Sequence, residues 1–208
     1  MAEIAALFWD VGGVVLSNGW DSSARSEAAR QFSLDPLDLE QRHRSAEEEL
    51  ETAKITLDTY LDRTVFFCPR PFARDEFKNF IFAQSREKRE TRVLLDELTA
   101  TGRYFLATLN NESEEVNAYR IRKFDLSRNF SAFFSSCYLR VRKPDPRIYR
   151  LALGITQRAP QECIFIDDRP ANLEPAKALG MNTILFRSAE ELRASLAESG
   201  VKPAFVGG

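Results

Sequence analysis

The stretch Ile4-Ala5-Ala6-Leu7-Phe8-Trp9-Asp10-Val11-Gly12-Gly13 decides the fold. Its first six residues are all apolar, and Asp10 ends the run. A short continuous apolar run reads as a strand buried on both faces, and the glycine pair reads as a tight loop beyond it. Similar runs follow at Tyr104 to Leu109, Ala132 to Cys137, and Glu162 to Ile166 before Asp167. A shorter fifth run is Asn182 to Phe186. Helical patterns alternate with them: Glu90 to Thr101, Ser113 to Phe124, Pro146 to Ile155, Pro170 to Leu179 and Ala189 to Glu198. Gly102 and Gly180 fit helix stops, and Pro146 and Pro170 fit first helical positions. The basic residues ending Ser113 to Phe124 suit a helix macrodipole. This rhythm predicts an α/β fold with a Rossmann-like, parallel, five-stranded sheet and helices on both faces.

The stretch 17–89 breaks the rhythm. It holds no convincing strand and reads as amphipathic helices near Ser22 to Phe32, Asp38 to Ala53, Leu57 to Phe67 and Arg74 to Ala83. Residues 1–16 and 90–208 are therefore expected to form the α/β core, with 17–89 as an inserted α-helical cap. The aromatic group Phe66, Phe67, Phe72, Phe77, Phe80 and Phe82 is expected to pack in a core or between domains. Glu47-Glu48-Glu49 reads as a solvated helix face, and His43 as a surface histidine.

Composition narrows the chemistry. The 208 residues carry 29 Lys plus Arg against 31 Asp plus Glu, a formal charge of −2, and are 44% hydrophobic. That supplies a real core and no basic excess of the kind nucleic-acid binders show. His43 is the single histidine, which disfavours multi-histidine metal sites and serine triads. Cys68, Cys137 and Cys163 form no Cys-x-x-Cys pair, and three free thiols suit a reducing compartment. With no signal-like start and no long apolar span, the expectation is a cytoplasmic protein that does not cross a membrane.

Ligands of open parallel sheets bind beyond the carboxyl ends of the strands. The residues there are Asp10, Thr108 to Asn111, and Asp167-Asp168, with Lys143 after the third run. A lone Asp after a strand is often a helix cap, and a lone Lys-Pro is often a turn. Together they make a carboxylate–lysine crevice suited to anion or metal chemistry.

These residues also resemble the motifs of the haloacid dehalogenase-like hydrolases with a helical cap. The resemblance lies in Phe8-Trp9-Asp10-Val11-Gly12-Gly13, in Ala107-Thr108-Leu109-Asn110-Asn111, in Lys143-Pro144, and in Phe165-Ile166-Asp167-Asp168 with the following Arg169-Pro170. It implies a Mg²⁺-dependent phosphatase of a small phosphorylated metabolite, such as a sugar phosphate. Asp10 would be the nucleophile and form an aspartyl-phosphate. Lys143 would stabilise charge. Gly12, Gly13, Thr108, Asn110, Asn111 and Lys143 would bind phosphate, and Asp10, Gly12, Asp167 and Asp168 would hold Mg²⁺. Two departures stand out. The family's usual second Asp, a general acid, is Gly12 here. Glu47, Glu48 and Glu51 of the cap are candidate replacements. Counted from Gly102 without gaps, Leu109 takes the usual Ser/Thr place of the second motif, with Thr108 before it and Asn110 after it. The alternatives are a catalytically silent binding or regulatory domain, and a dehalogenase.

Overall fold

A computed structural model describes residues 2–204. Five strands form one sheet: β1 (Ala6–Trp9), β2 (Phe105–Asn110), β3 (Ala132–Ser135), β4 (Cys163–Asp167) and β5 (Asn182–Leu185). Their spatial order is β3-β2-β1-β4-β5, and every pairing is parallel. This is the expected Rossmann-like α/β architecture. The chain winds outward from β1 in both directions, so β1 has neighbours on both edges.

Every residue of β1 is buried, and alternate side chains feed two cores. Leu7 and Trp9 join one with Leu94, Leu95 and Leu98 of α5 (Arg89–Ala100) and Leu192 and Leu196 of α10 (Ala189–Glu198). Ala6 and Phe8 join the other with Ile148, Tyr149 and Ala152 of α8 (Pro146–Thr156) and Leu173 and Ala176 of α9 (Pro170–Ala178). Helices therefore cover both faces, and this explains why β1 reads as a continuous apolar run.

Between β1 and α5 lie α1 (Ser22–Gln31), α2 (Pro36–Glu51), α3 (Leu57–Thr64) and α4 (Arg74–Ala83). They share an apolar cluster built on Ala28, Phe32, Leu39, Leu50, Leu61, Phe77 and Ile81. Asp21, Asp35 and Thr56 cap α1, α2 and α3 by accepting backbone N–H groups. Phe72 and Phe77 pack against Phe32, while Phe82 stacks on Tyr119 of α6 (Glu114–Lys123) at 4.7 Å. Phe67 is different: it is exposed, with the Arg42 guanidinium 3.6 Å over its ring.

The third strand ends earlier than the run Ala132 to Cys137 implies. Ser136 begins a single helical turn, α7 (Ser136–Leu139), which aims the following loop toward β1 and β4. Arg120 also departs from the macrodipole reading. It turns inward, is 2% exposed, and pairs with Glu112 at 2.8 Å; exposed Arg122 and Lys123 keep the expected place.

Candidate active site

Parallel register sets the geometry. Trp9 pairs with Thr108 on one side and Ile166 on the other. The next residues along β1 and β4, Asp10 and Asp167, therefore emerge at the same level. Lys143 reaches both: its Nζ lies 3.0 Å from Asp10 Oδ1 and 2.6 Å from Asp167 Oδ2. Lys143 and Asp167 are buried, and Asp10 is nearly so. Asn111, just past β2, grips the lysine by its backbone. Its Nδ2 donates to the Lys143 carbonyl at 2.9 Å and its Oδ1 accepts the Lys143 N–H at 2.8 Å.

The two acidic residues after β4 are unlike. Asp167 Oδ1 accepts the Arg169 N–H at 2.8 Å, and both its oxygens face Asn172 Nδ2 at 3.1 Å. With Lys143 added, Asp167 is fully supplied with donors. Asp168 has Oδ1 buried without any hydrogen-bond partner. Such an orphan is costly unless something outside the chain satisfies it. Asp10, Asp167 and Asp168 each offer an oxygen, all within 4.8 Å of one another. This all-oxygen set suits a hard divalent cation such as Mg²⁺.

Electrostatics follow from burial. Desolvation pushes the Asp10 carboxyl up to about 7, with Lys143 opposing and Asp167 assisting. Burial alone would depress the Lys143 ammonium, but Asp10 and Asp167 outweigh it and hold it above its ordinary value. Desolvation and the neighbouring Asp167 also raise Asp168.

Asp10, Gly12, Asn111 and Lys143 line a cavity of about 260 Å³. Gly13 lies beside Asp168: a Cβ there would sit 2.1 Å from Asp168 Oδ2. The structure does not bring Thr108 or Asn110 to that wall. Thr108 faces the β1 core fully buried, its Oγ1 unpartnered. Asn110 donates to Asn117 Oδ1 at 3.2 Å and accepts from Ser135 Oγ at 2.9 Å. Leu109 is buried in the opposite core. The polar residue that reaches the site from this strand end is Asn111.

The helical block supplies the other wall, including Trp20, Arg25, His43, Glu47 and Glu51. His43 is not on the surface; it is 5% exposed. Trp20 Nε1 donates to Tyr60 Oη at 2.8 Å, and Tyr60 Oη lies 2.9 Å from His43 Nδ1. The other ring nitrogen, Nε2, lies 3.5 Å from Glu47 Oε1. His43 in turn lowers Glu47 to about 2, with burial opposing and Arg142 assisting. So Glu47 belongs to the cavity wall, whereas Glu48 stays exposed. The spacing of Trp20, Arg25 and His43 carries no strand-end signal, so reading the sequence could not place them here.

A family model of haloacid dehalogenase-like hydrolases matches residues 4–180. The chain belongs to that family. Over 79 residues it is 40% identical to flavin mononucleotide hydrolase 1 of Arabidopsis thaliana, covering 38% of this chain and 32% of that protein. Over 63 residues it is 41% identical to bifunctional epoxide hydrolase 2 of Rattus norvegicus, covering 30% of this chain and 11% of the relative. The matches thus span a third or less of those relatives. A solved HAD family enzyme of Bacteroides thetaiotaomicron superposes with a TM-score of 0.78 over 94% of this chain and 99% of that one, at 17% identity. That likeness establishes the shared fold. The same enzyme has been solved with magnesium and inorganic phosphate.

Proposed function

We propose that this hydrolase is a Mg²⁺-dependent phosphatase of a small phosphorylated metabolite, working through an aspartyl-phosphate on Asp10. The observation that carries the reading is Asp10 paired with buried Lys143 beside Asp168, whose inner oxygen has no partner. Asp10, Asp168 and the backbone of Gly12 would hold the cation. Mg²⁺ bound there would offset the repulsion between an anionic nucleophile and an anionic phosphate. The magnesium and phosphate complex of the Bacteroides thetaiotaomicron enzyme supports that choice of metal and ligand.

The remaining work falls to the chain's own groups. The Asp10 carboxylate forms a bond to phosphorus while the bond to the leaving oxygen breaks. Lys143 supplies a fixed positive charge beside the attacking oxygen. Asp167 positions Lys143 and leaves the metal to its neighbours, because its own oxygens already accept four contacts. The polar cavity, with Arg25, His43 and Glu47 on the cap side, suits a small hydroxylated group.

The test is hydrolysis of a panel of sugar, nucleotide and acyl phosphates, with Mg²⁺ and with a chelator. Turnover is expected with Mg²⁺ alone and is expected to vanish in Asp10→Asn. Activity that survives Asp10→Asn rules out the nucleophile. Metal-independent release of halide from a haloacid would replace the phosphatase reading with a dehalogenase. Mg²⁺ binding with no turnover on any ester would favour a silent binding domain.

A further inference from the structure

Gly12 leaves the reaction without a proton donor at the family's usual place. A Cβ at Gly12 would lie 3.3 Å from Asn18 Oδ1, so an amide borders that space. An amide has no acidic proton to give. The other carboxyls on the cavity wall are Asp21, Glu47, Glu51 and Glu112. Asp21 is engaged as the cap of α1, accepting the Ala24 N–H at 2.9 Å. Glu47 is held anionic beside His43 and Arg142. Glu112 is locked to Arg120 at 2.8 Å and accepts the Ser113 N–H.

Glu51 is arranged differently. It ends α2 and lines the same cavity as Asp10 and Lys143. Its Oε2 accepts from Arg142 Nη1 at 2.7 Å, and its Oε1 accepts no hydrogen bond from any described residue. Its backbone is pinned, because the Glu51 carbonyl accepts from Ser136 Oγ at 2.7 Å. One oxygen is thus fixed, and the other is available to whatever enters the cavity.

We propose that Glu51 is the general acid–base of this site and protonates the leaving oxygen of an alkyl phosphate monoester. The proposal rests on the phosphatase reading above. In the first step Asp10 Oδ bonds to phosphorus, and the phosphorus–oxygen bond to the alcohol breaks with its electron pair going to oxygen. The Glu51 proton moves to that oxygen, giving the free alcohol, the aspartyl-phosphate and a Glu51 carboxylate. In the second step Glu51 takes a proton from water as the water oxygen attacks phosphorus. The bond to Asp10 breaks, inorganic phosphate leaves, and both carboxyl groups return to their starting states. Burial supports the role by pushing Glu51 up to about 7, with Arg142 opposing and Glu47 and Glu112 assisting. Those three act on it most strongly; Asp10, Asp21, Arg25, His43, Arg120, Lys143 and Arg169 also line the cavity. The chemical class follows: with a proton donor present, the substrate need not have an acidic leaving group, and unactivated alcohol esters are within reach.

The experiment compares an alkyl ester, glycerol phosphate, with an aryl ester, para-nitrophenyl phosphate, whose phenolate leaves without a proton. In Glu51→Gln the alkyl rate is expected to fall more than the aryl rate, by roughly 10²-fold. Exposed Glu48→Gln is the control and is expected to leave both rates unchanged. A second readout needs no variant: wild-type turnover of the alkyl ester should fall above about pH 7 as Glu51 ionises, while the aryl ester shows no such limb. Equal losses on both esters in Glu51→Gln, or matching pH limbs, would confine Glu51 to tethering the helical block. Those results overturn the proton role and leave the phosphatase reading standing. Turnover of acyl or aryl phosphates with none of any alkyl ester overturns the Glu51 role alone, and no turnover of any phosphate compound overturns both readings.

Discussion

Two adjacent glycines illustrate how differently single residues are constrained. Gly13 has φ +75°, and a Cβ would collide with Asp168 Oδ2 at 2.1 Å. Gly12 has no positive φ, and its nearest neighbour would be 3.3 Å away. Gly13→Ala is therefore expected to destabilise the fold by about 1–3 kcal/mol and to displace Asp168. Gly12→Ala should cost less than about 1 kcal/mol. Thermal melts check the stability difference, and calorimetric Mg²⁺ titration checks the site. Normal Mg²⁺ affinity in Gly13→Ala would separate Asp168 from the metal. The sequence shows that a glycine pair follows Asp10, but not which member is indispensable, because that depends on β4 bringing Asp168 alongside. The same limit applied to Thr108 and Asn110. Residue type suggested phosphate contacts, while the side-chain alternation of β2 turned both into buried structural positions.

At the scale of elements, the existence of the strands and their parallel pairing were legible because a two-sided sheet demands continuous apolar runs and parallel crossovers demand intervening helices. The loop that carries Lys143 was less so. A four-residue helix after β3 and the clamp from Asn111 fix its path, and neither has a periodic signature. Asn111→Ala removes two hydrogen bonds that join the end of β2 to this loop. A loss of roughly 2–3 kcal/mol is expected, since each bond contributes about 1 kcal/mol and the freed backbone groups are partly buried. Lys143 would then lose its fixed approach to Asp10, and kcat should drop by an order of magnitude or more on the positioning argument. Melting curves with steady-state kinetics test both. A stability loss with kcat intact would restrict Asn111 to the fold. His43 shows the converse failure of reading by element: flanking Arg42 and Arg44 suggested an exposed turn of helix, yet α2 buries the face between them.

For the molecule as a whole, the helical block and the sheet are joined through charged groups that burial makes sensitive to pH. Arg142 meets Glu51 at 2.7 Å and Glu47 at 3.4 Å, and Arg140 donates to the carbonyls of Thr52 and Ala53. Glu51 rises from an ordinary 4.5 to about 7 on burial, while Glu47 falls to about 2. A carboxyl raised in the folded state binds more protons there than in the unfolded chain. Its effect on stability is therefore unfavourable above its folded value, and that cost fades as pH falls from about 7 toward 4.5. At about 1.4 kcal/mol per pKa unit, Glu51 carries a penalty of at most about 3 kcal/mol at pH 8. Glu51→Gln keeps the shape, removes the charge and leaves Arg142 with Glu47. The variant should therefore melt close to wild type at pH 5 and above it at pH 8, by roughly 5–10 °C at most for a chain of this size. The comparison is made in chelator, so that only this substitution separates the two curves. Parallel melting curves across that range would mean that the Glu51 carboxyl bears no desolvation cost. A Glu51→Gln chain that becomes less stable at pH 8 would mean that its charge pair with Arg142 outweighs the cost.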